Sequence, residues 1–207
     1  MVQNQPRPRG RPRSYDPATA LDQARAAFWN TGYAATSLDD LSVATGLNRP
    51  SLYGAFGDKK ALYLKALEKS RAETTAALAT AMAPDEHLRA ALTRVYDAAA
   101  GIYMRGDHGP RGCFLIGTAV TEAVDDPEIR AVLAAALAEI DAAFEARIRR
   151  AMEVGNLPLS TDAAGMAKVA TAVMNAMAVR ARAGGDLATL RAMGAAVTDL
   201  ICGRAGR

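Results

Sequence analysis

Cysteine is nearly absent: Cys113 and Cys202 are the only two in 207 residues. They fit neither a zinc spacing nor a disulfide framework, and the expected compartment is a reducing cytoplasm. Histidine is as scarce, and His87 and His108 have no partner at metal or triad spacing. There is no glycine-rich phosphate loop and no nucleophile beside a base. Neither an enzyme nor a cofactor is therefore expected. Aromatics make up only 5% of the chain while alanine is abundant, which favours packed helices over sheets. No apolar run is long and uninterrupted enough to make a membrane span. The first residues carry arginine and proline but no apolar core, so they do not read as a secretory signal. The net charge is only +3, a total that hides a local cluster.

What is there centres on Thr36 to Lys60, TSLDDLSVATGLNRPSLYGAFGDKK. Ser37 and Asp40 have the spacing of a capping box. Leu38, Leu41 and Ala44 recur at helical spacing, and Gly46 ends that helix in a sharp turn. Asn48 or Ser51 starts a second, very short helix with Pro50 in its first turn. Leu52 and Phe56 form its inner face; Asn48, Arg49, Ser51 and Tyr53 form its outer face. Asp58 caps the next helix. The pattern is a helix-turn-helix with a polar recognition helix.

From Ala20 to Leu62 this stretch resembles the DNA-binding domain of TetR/AcrR-type transcriptional regulators. The resemblance is carried by Ala24, Phe28, Gly32-Tyr33, Thr36-Ser37, Leu41, Ala44, Gly46-Leu47, Ser51-Leu52-Tyr53, Phe56, Lys59 and Leu62. The run LY-x-x-F-x-x-K directly after the recognition helix makes the match specific. Gly54 and Ala55 depart from it, being small where many members carry larger side chains.

Around this head the chain divides into three expected parts: a disordered basic arm over 1–15, the DNA-binding domain over 16–62 and a helical domain over 63–207. The arm holds Arg7, Arg9, Arg11 and Arg13 without an acid. Pro-Arg-Gly-Arg-Pro at 8–12 resembles the core of an AT-hook, a minor-groove binder. A solvated tail adding phosphate attraction is the equal alternative. Asp16-Pro17 starts the first helix, whose stripe is Leu21, Ala24, Ala27 and Phe28, with Trp29 a packing residue. A long helix follows from about 58 to 82, the one obvious mechanical link between the halves. Helices are expected over 86–104, 113–124, 127–154, 162–183 and 186–203, with a loop at 105–112. The fold class is all-α with about nine helices, a count and order that also resemble the TetR plan.

Arg49 has the fork that reads guanine O6/N7, or it contacts phosphate. Asn48 reads adenine or caps its helix. Ser51, Tyr53 and Lys59 resemble family positions that touch phosphate or sugar, and Thr36 and Ser37 offer a further phosphate contact. The DNA-binding set is thus Thr36, Ser37, Asn48, Arg49, Pro50, Ser51, Tyr53 and Lys59, with Arg9 and Arg11 from the arm. The resemblance implies a homodimer on a palindromic operator in double-stranded DNA. Its contact would come from Val173, Met174 and Met177 on one late helix, and Leu190, Met193, Val197 and Leu200 on the next. The alternative is that these stripes face their own core. It also implies a pocket for a small apolar effector among Tyr96, Tyr103, Met104, Phe114, Phe144 and Met177, with core packing the alternative for each of them. Cys113, at a helix start two residues after Arg111, is either a sensor thiol with a lowered pKa or a packed apolar residue. The expected function is a transcriptional repressor released by that effector. Its rivals are oxidant or electrophile sensing through Cys113, and an effector-free architectural protein using the arm.

Overall fold

The computed structural model describes residues 15–83, 87–106 and 109–203. Among them are nine α-helices: α1 (Pro17–Thr31), α2 (Leu38–Thr45), α3 (Arg49–Phe56), α4 (Lys59–Ala81), α5 (Leu88–Tyr103), α6 (Phe114–Glu122), α7 (Pro127–Glu153), α8 (Ala163–Arg182) and α9 (Leu187–Cys202). No strand occurs among the described residues. The arm with Arg9 and Arg11 lies outside them, as does His108.

The helix starts are chemically explicit. Asp16, Asp58, Asp126, Asp162 and Asp186 each accept a backbone N–H from the first turn of the helix they precede. Such caps satisfy donors that the helix leaves unpaired. The Ser37–Asp40 capping box forms in full: the Ser37 hydroxyl accepts from the Asp40 N–H at 3.1 Å and the Asp40 carboxylate accepts from the Ser37 N–H at 2.8 Å. Gly46 ends α2 at φ +65°, a conformation open to glycine and strained for other residues.

Two cores form. In the first, Phe28, Leu41, Leu52, Phe56, Leu62, Tyr63 and Leu67 of α1–α4 pack with Phe114, Leu115 and Ala119 of α6 and with Ile129 of α7. The second joins Leu78 of α4 and Met82, which caps its end, to α5, the later part of α7, α8 and α9. Helix α4 therefore enters both cores, as its length predicts. It is not the only link, however. Helix α6 also touches the head directly, because Phe114 brings a large ring against Tyr63 (5.9 Å between centroids) and Trp29 (5.7 Å). The Tyr63 hydroxyl hydrogen-bonds the Thr118 hydroxyl at 2.7 Å, out of water.

The late stripes correct the dimer expectation. Met174, Met177, Leu190 and Val197 are buried within the chain's own core, because α8 packs on α7 and α9 packs on α5 and α8. They are not surface residues. Val173 and Met193 are half-buried against the same core. Leu200 is 61% exposed, and Val169 and Val179 on α8 are exposed too.

Candidate nucleic-acid interface and interior cavity

Helix α3 is held by its inner face and presents the other. Leu52 and Phe56 are buried, whereas Asn48, Arg49, Pro50 and Tyr53 are exposed and Ser51 is half-buried. The Lys65 ammonium closes the far end of α3 by donating to the Phe56 carbonyl at 2.9 Å. Asn48 takes the capping role: its Oδ1 accepts from the Ser51 N–H at 2.9 Å. Arg49 is already paired. Its Nε and Nη2 donate to the two oxygens of Asp39 at 3.0 and 2.8 Å, a bidentate bridge from α3 to α2 on the surface. Asp39 was absent from the expected set; its position in the first turn of α2, ten residues before Arg49, was the available signal. Val43 of α2 stands 84% exposed on the head.

Thr36 corrects the phosphate expectation. It is buried, and its hydroxyl donates to the Gly32 carbonyl at 2.6 Å while lying 2.7 Å from the Thr31 hydroxyl. It locks the turn after α1, leaving no side-chain group for a phosphate. Ser37 is exposed but its hydroxyl is engaged in the capping box. Lys59 sits over the Tyr33 ring at 4.5 Å, a cation–π contact. Partial burial holds its ammonium below the usual lysine pKa, and it lies at the N-terminal end of α4.

The second feature is a cavity of about 430 Å³, partly open to solvent and lined by α1 and α4–α8. That lies within the range of small-molecule sites. Of the six expected ligand residues, Tyr103 and Phe114 line it; Tyr96, Met104, Phe144 and Met177 do not. Large size misled here. Tyr96 is stacked on Phe144 at 6.1 Å and donates its hydroxyl to the Ala170 carbonyl at 3.1 Å, so both rings fill the second core. Met177 is fully buried there, and Met104 packs against it. The walls come instead from smaller residues such as Leu78, Val95, Leu133 and Ile140, and from charged ones that size alone did not suggest: Arg25, Glu73, Arg105 and Arg111.

The cavity touches the head. Trp29 of α1 lines it, donates its ring N–H to the Arg111 carbonyl at 3.2 Å and has the Arg111 guanidinium over its ring at 4.6 Å. From α8, Arg182 donates to the carbonyls of both Trp29 and Arg111. Arg25 of α1 pairs with Glu73 of α4 and with Asp22. Thus α1 is fastened to α4, α6's leading loop and α8 around one space. Trp29 does more than the packing expected of it.

Cys113 is the N-cap of α6 and also lines the cavity. Burial pushes its thiol above the usual value, with the N–H groups of Ile116 and Leu115 offsetting this in part. A thiol poised for oxidants needs the opposite shift, so burial favours the packing reading over the sensor reading. Cys202 is half-buried against the second core. No cluster of three or more metal-ligating side chains occurs among the described residues, and none of their helices is long and apolar enough to cross a membrane.

Residues 20–66 match the family described as bacterial regulatory proteins, tetR family, and residues 86–197 match the tetracyclin repressor-like C-terminal domain. The HTH-type transcriptional repressor ComR of Escherichia coli (strain K12) is 31% identical over 183 residues, covering 88% of this chain and 87% of that protein. The HTH-type transcriptional regulator YezE of Bacillus subtilis (strain 168) is 27% identical over 72% of this chain and 76% of that one. Among solved structures, a cysteine mutant of the TetR family transcriptional regulator CifR, complexed with 26-bp double-strand operator DNA, is similar with a TM-score of 0.83. Its identity is 28%, over 91% of this chain and 98% of that one.

Proposed function

This chain belongs to the TetR family of bacterial regulatory proteins, and from that premise we propose that it is a cytoplasmic transcriptional repressor, not an enzyme, that binds a palindromic operator as a homodimer. The observation that carries the reading is the outer face of α3. Asn48, Arg49, Pro50 and Tyr53 stand exposed on a helix whose inner face is locked by Leu52 and Phe56. A rigid polar helix of this kind enters the major groove with its first residues near base edges. Arg49 reads the base edge, Tyr53 and Ser51 contact phosphate or sugar, and Lys59 adds charge beside the N-terminus of α4. The reading head spans residues 16–62, and 63–207 carry effector binding and dimerisation. The dimer contact uses what the chain leaves uncovered on its last two helices, chiefly Val169, Val179 and Leu200 with the edges of Val173 and Met193.

A small molecule in the cavity releases the DNA. Trp29 and Arg25 of α1 are part of the cavity wall, so a ligand that repositions them also tilts the head. Ligand and operator then oppose each other by linkage. The test is selection of bound duplexes from a random pool by the full-length protein at near-physiological salt. A palindromic consensus is expected. Enrichment of A·T-rich duplexes without a palindrome would overturn the operator reading and favour non-specific binding through the basic arm.

A further inference from the structure

The cavity's charge is lopsided in a way that its apolar walls do not require. Its charged lining residues are three arginines, Arg25, Arg105 and Arg111, against the single acid Glu73. Arg25 is accounted for by Glu73 and Asp22. Arg105 and Arg111 have no carboxylate partner among the described residues. Arg111 is the telling one. Its Nε is sealed from solvent without an acceptor. Its Nη1 reaches the Asn30 Oδ1 only at 3.4 Å, and its guanidinium otherwise rests on the Trp29 ring. A buried N–H donor without an acceptor is costly, and a charged one more so. Guanidinium matches a carboxylate through two parallel hydrogen bonds. Leu78, Val95, Leu133 and Ile140 supply apolar wall to the same cavity.

We propose that the effector is an amphipathic carboxylic acid, its hydrocarbon body against the apolar wall and its carboxylate on Arg111 and Arg105. This rests on the repressor reading above and specifies its ligand class. It also explains the output. Drawing the Arg111 guanidinium from the Trp29 ring onto a carboxylate loosens the contact that fastens α1 to the loop before α6. A neutral apolar molecule satisfies neither arginine, and a cationic one is repelled by both.

The experiment uses the full-length protein and three acids, octanoate, decanoate and 1-naphthoate, each against its own primary amide. Direct binding and release from the selected operator are both measured. At least one acid is expected to bind ten-fold or more tighter than its amide and to release operator. Arg111→Gln is expected to erase that preference. Because Arg111 also contacts Trp29, Arg105→Gln is the second variant; its exposed side chain makes no hydrogen bond or ion pair among the described residues, and it is expected to weaken the acid several-fold and leave the amide unchanged. Amides binding as well as acids, or no acid binding at all, would overturn the proposal. If operator selectivity persists in that case, the repressor reading survives without this ligand class. A protein that never selects an operator loses the repressor reading instead, whichever compounds it binds.

Discussion

The two cores of this chain are built from different materials. The first is aromatic: Phe28, Tyr33, Tyr63 and Phe114 meet ring to ring, with Tyr33 and Tyr63 only 4.7 Å apart between centroids. The second is largely alanine and aliphatic. Ala100, Ala151, Ala163, Ala167, Ala170 and Ala181 are all buried in it, with Tyr96 stacked on Phe144 among them. Rings have shape and few tolerable positions. Alanines leave little volume to orient a helix, and close backbone approach does the work instead. At Gly194 a Cβ would lie 2.6 Å from the Cβ of Tyr96, so α9 meets α5 almost backbone to backbone. The first core joins the head to α6, and the second binds the last helices to α5 and α7.

The largest expected effect comes from removing the shared ring of the first core. Tyr63→Ala should cost about 3–5 kcal/mol in urea unfolding and should weaken operator binding as well, since the ring braces α1. Tyr96→Ala in the second core should cost a similar amount of stability and leave the operator consensus intact in the protein that remains folded. Equal effects of the two on the consensus would erase the distinction between a core that serves the head and one that does not.

Gly194→Ala is a smaller and sharper probe. In an unpacked helix, alanine for glycine gains about 1 kcal/mol. Here overpacking against Tyr96 costs about 1–3 kcal/mol and should win, because the opposing atom is a Cβ fixed to its backbone. A stabilised variant, seen as a raised urea midpoint, would show that α5 and α9 are free to separate.

The same contrast explains what the sequence could tell. The head was legible because each signal there is local: the Ser37–Asp40 box, the turn at Gly46, the cap at Asn48 and the inner pair Leu52 and Phe56 all appear in the structure as their spacing implies. Nine helices and their breaks at Gly155, Gly184 and Asp126-Pro127 were equally local. The pocket and the late helix faces were not. Periodicity marks an apolar stripe without saying whether the chain itself or a second copy covers it, and Met174, Met177, Leu190 and Val197 turned inward. Likewise, Tyr96, Phe144 and Met177, bulky residues expected at the pocket, filled the second core. The cavity walls were set by residues from distant elements, such as Arg25, Glu73 and Arg111, whose meeting no spacing rule announces.

A third effect tests the joint between head and bundle by pH. Lys60 of α4 bridges to Asp126 and Glu128 at the start of α7, each at 2.7 Å. The Lys60 ammonium holds the Asp126 carboxyl below its ordinary 3.8, and the two carboxylates raise Lys60 above its ordinary 10.5. For Asp126 the stabilisation is present above 3.8 and fades as pH falls through its lowered folded value. For Lys60 it is complete below 10.5 and fades only above that. Asp126→Asn retains a residue able to cap α7 and removes the charge. Thermal unfolding of the wild type should therefore lose stability relative to Asp126→Asn as pH drops below about 4. Parallel curves across the acid range would mean that the bridge carries no net stability.

The smallest effect on stability, and the most informative about the head, is expected at Asp39. Its bridge to Arg49 is exposed on both sides, and exposed pairs are worth about 0–1 kcal/mol. Asp39→Asn should barely move the urea midpoint. On DNA it removes an acid beside the reading face and releases a guanidinium. Affinity for all duplexes should rise, because attraction to phosphate is sequence-independent. Preference at the base pair read by Arg49 should persist, since its fork still fits guanine O6/N7. Arg49→Ala should do the reverse, losing about 1–3 kcal/mol at one position of each half-site. If Asp39→Asn flattens that same position while affinity rises, Asp39 aims Arg49 at its base. If Arg49→Ala weakens every sequence alike, Arg49 belongs to the phosphate contacts, and base reading on this head falls to Tyr53 and its neighbours on α3.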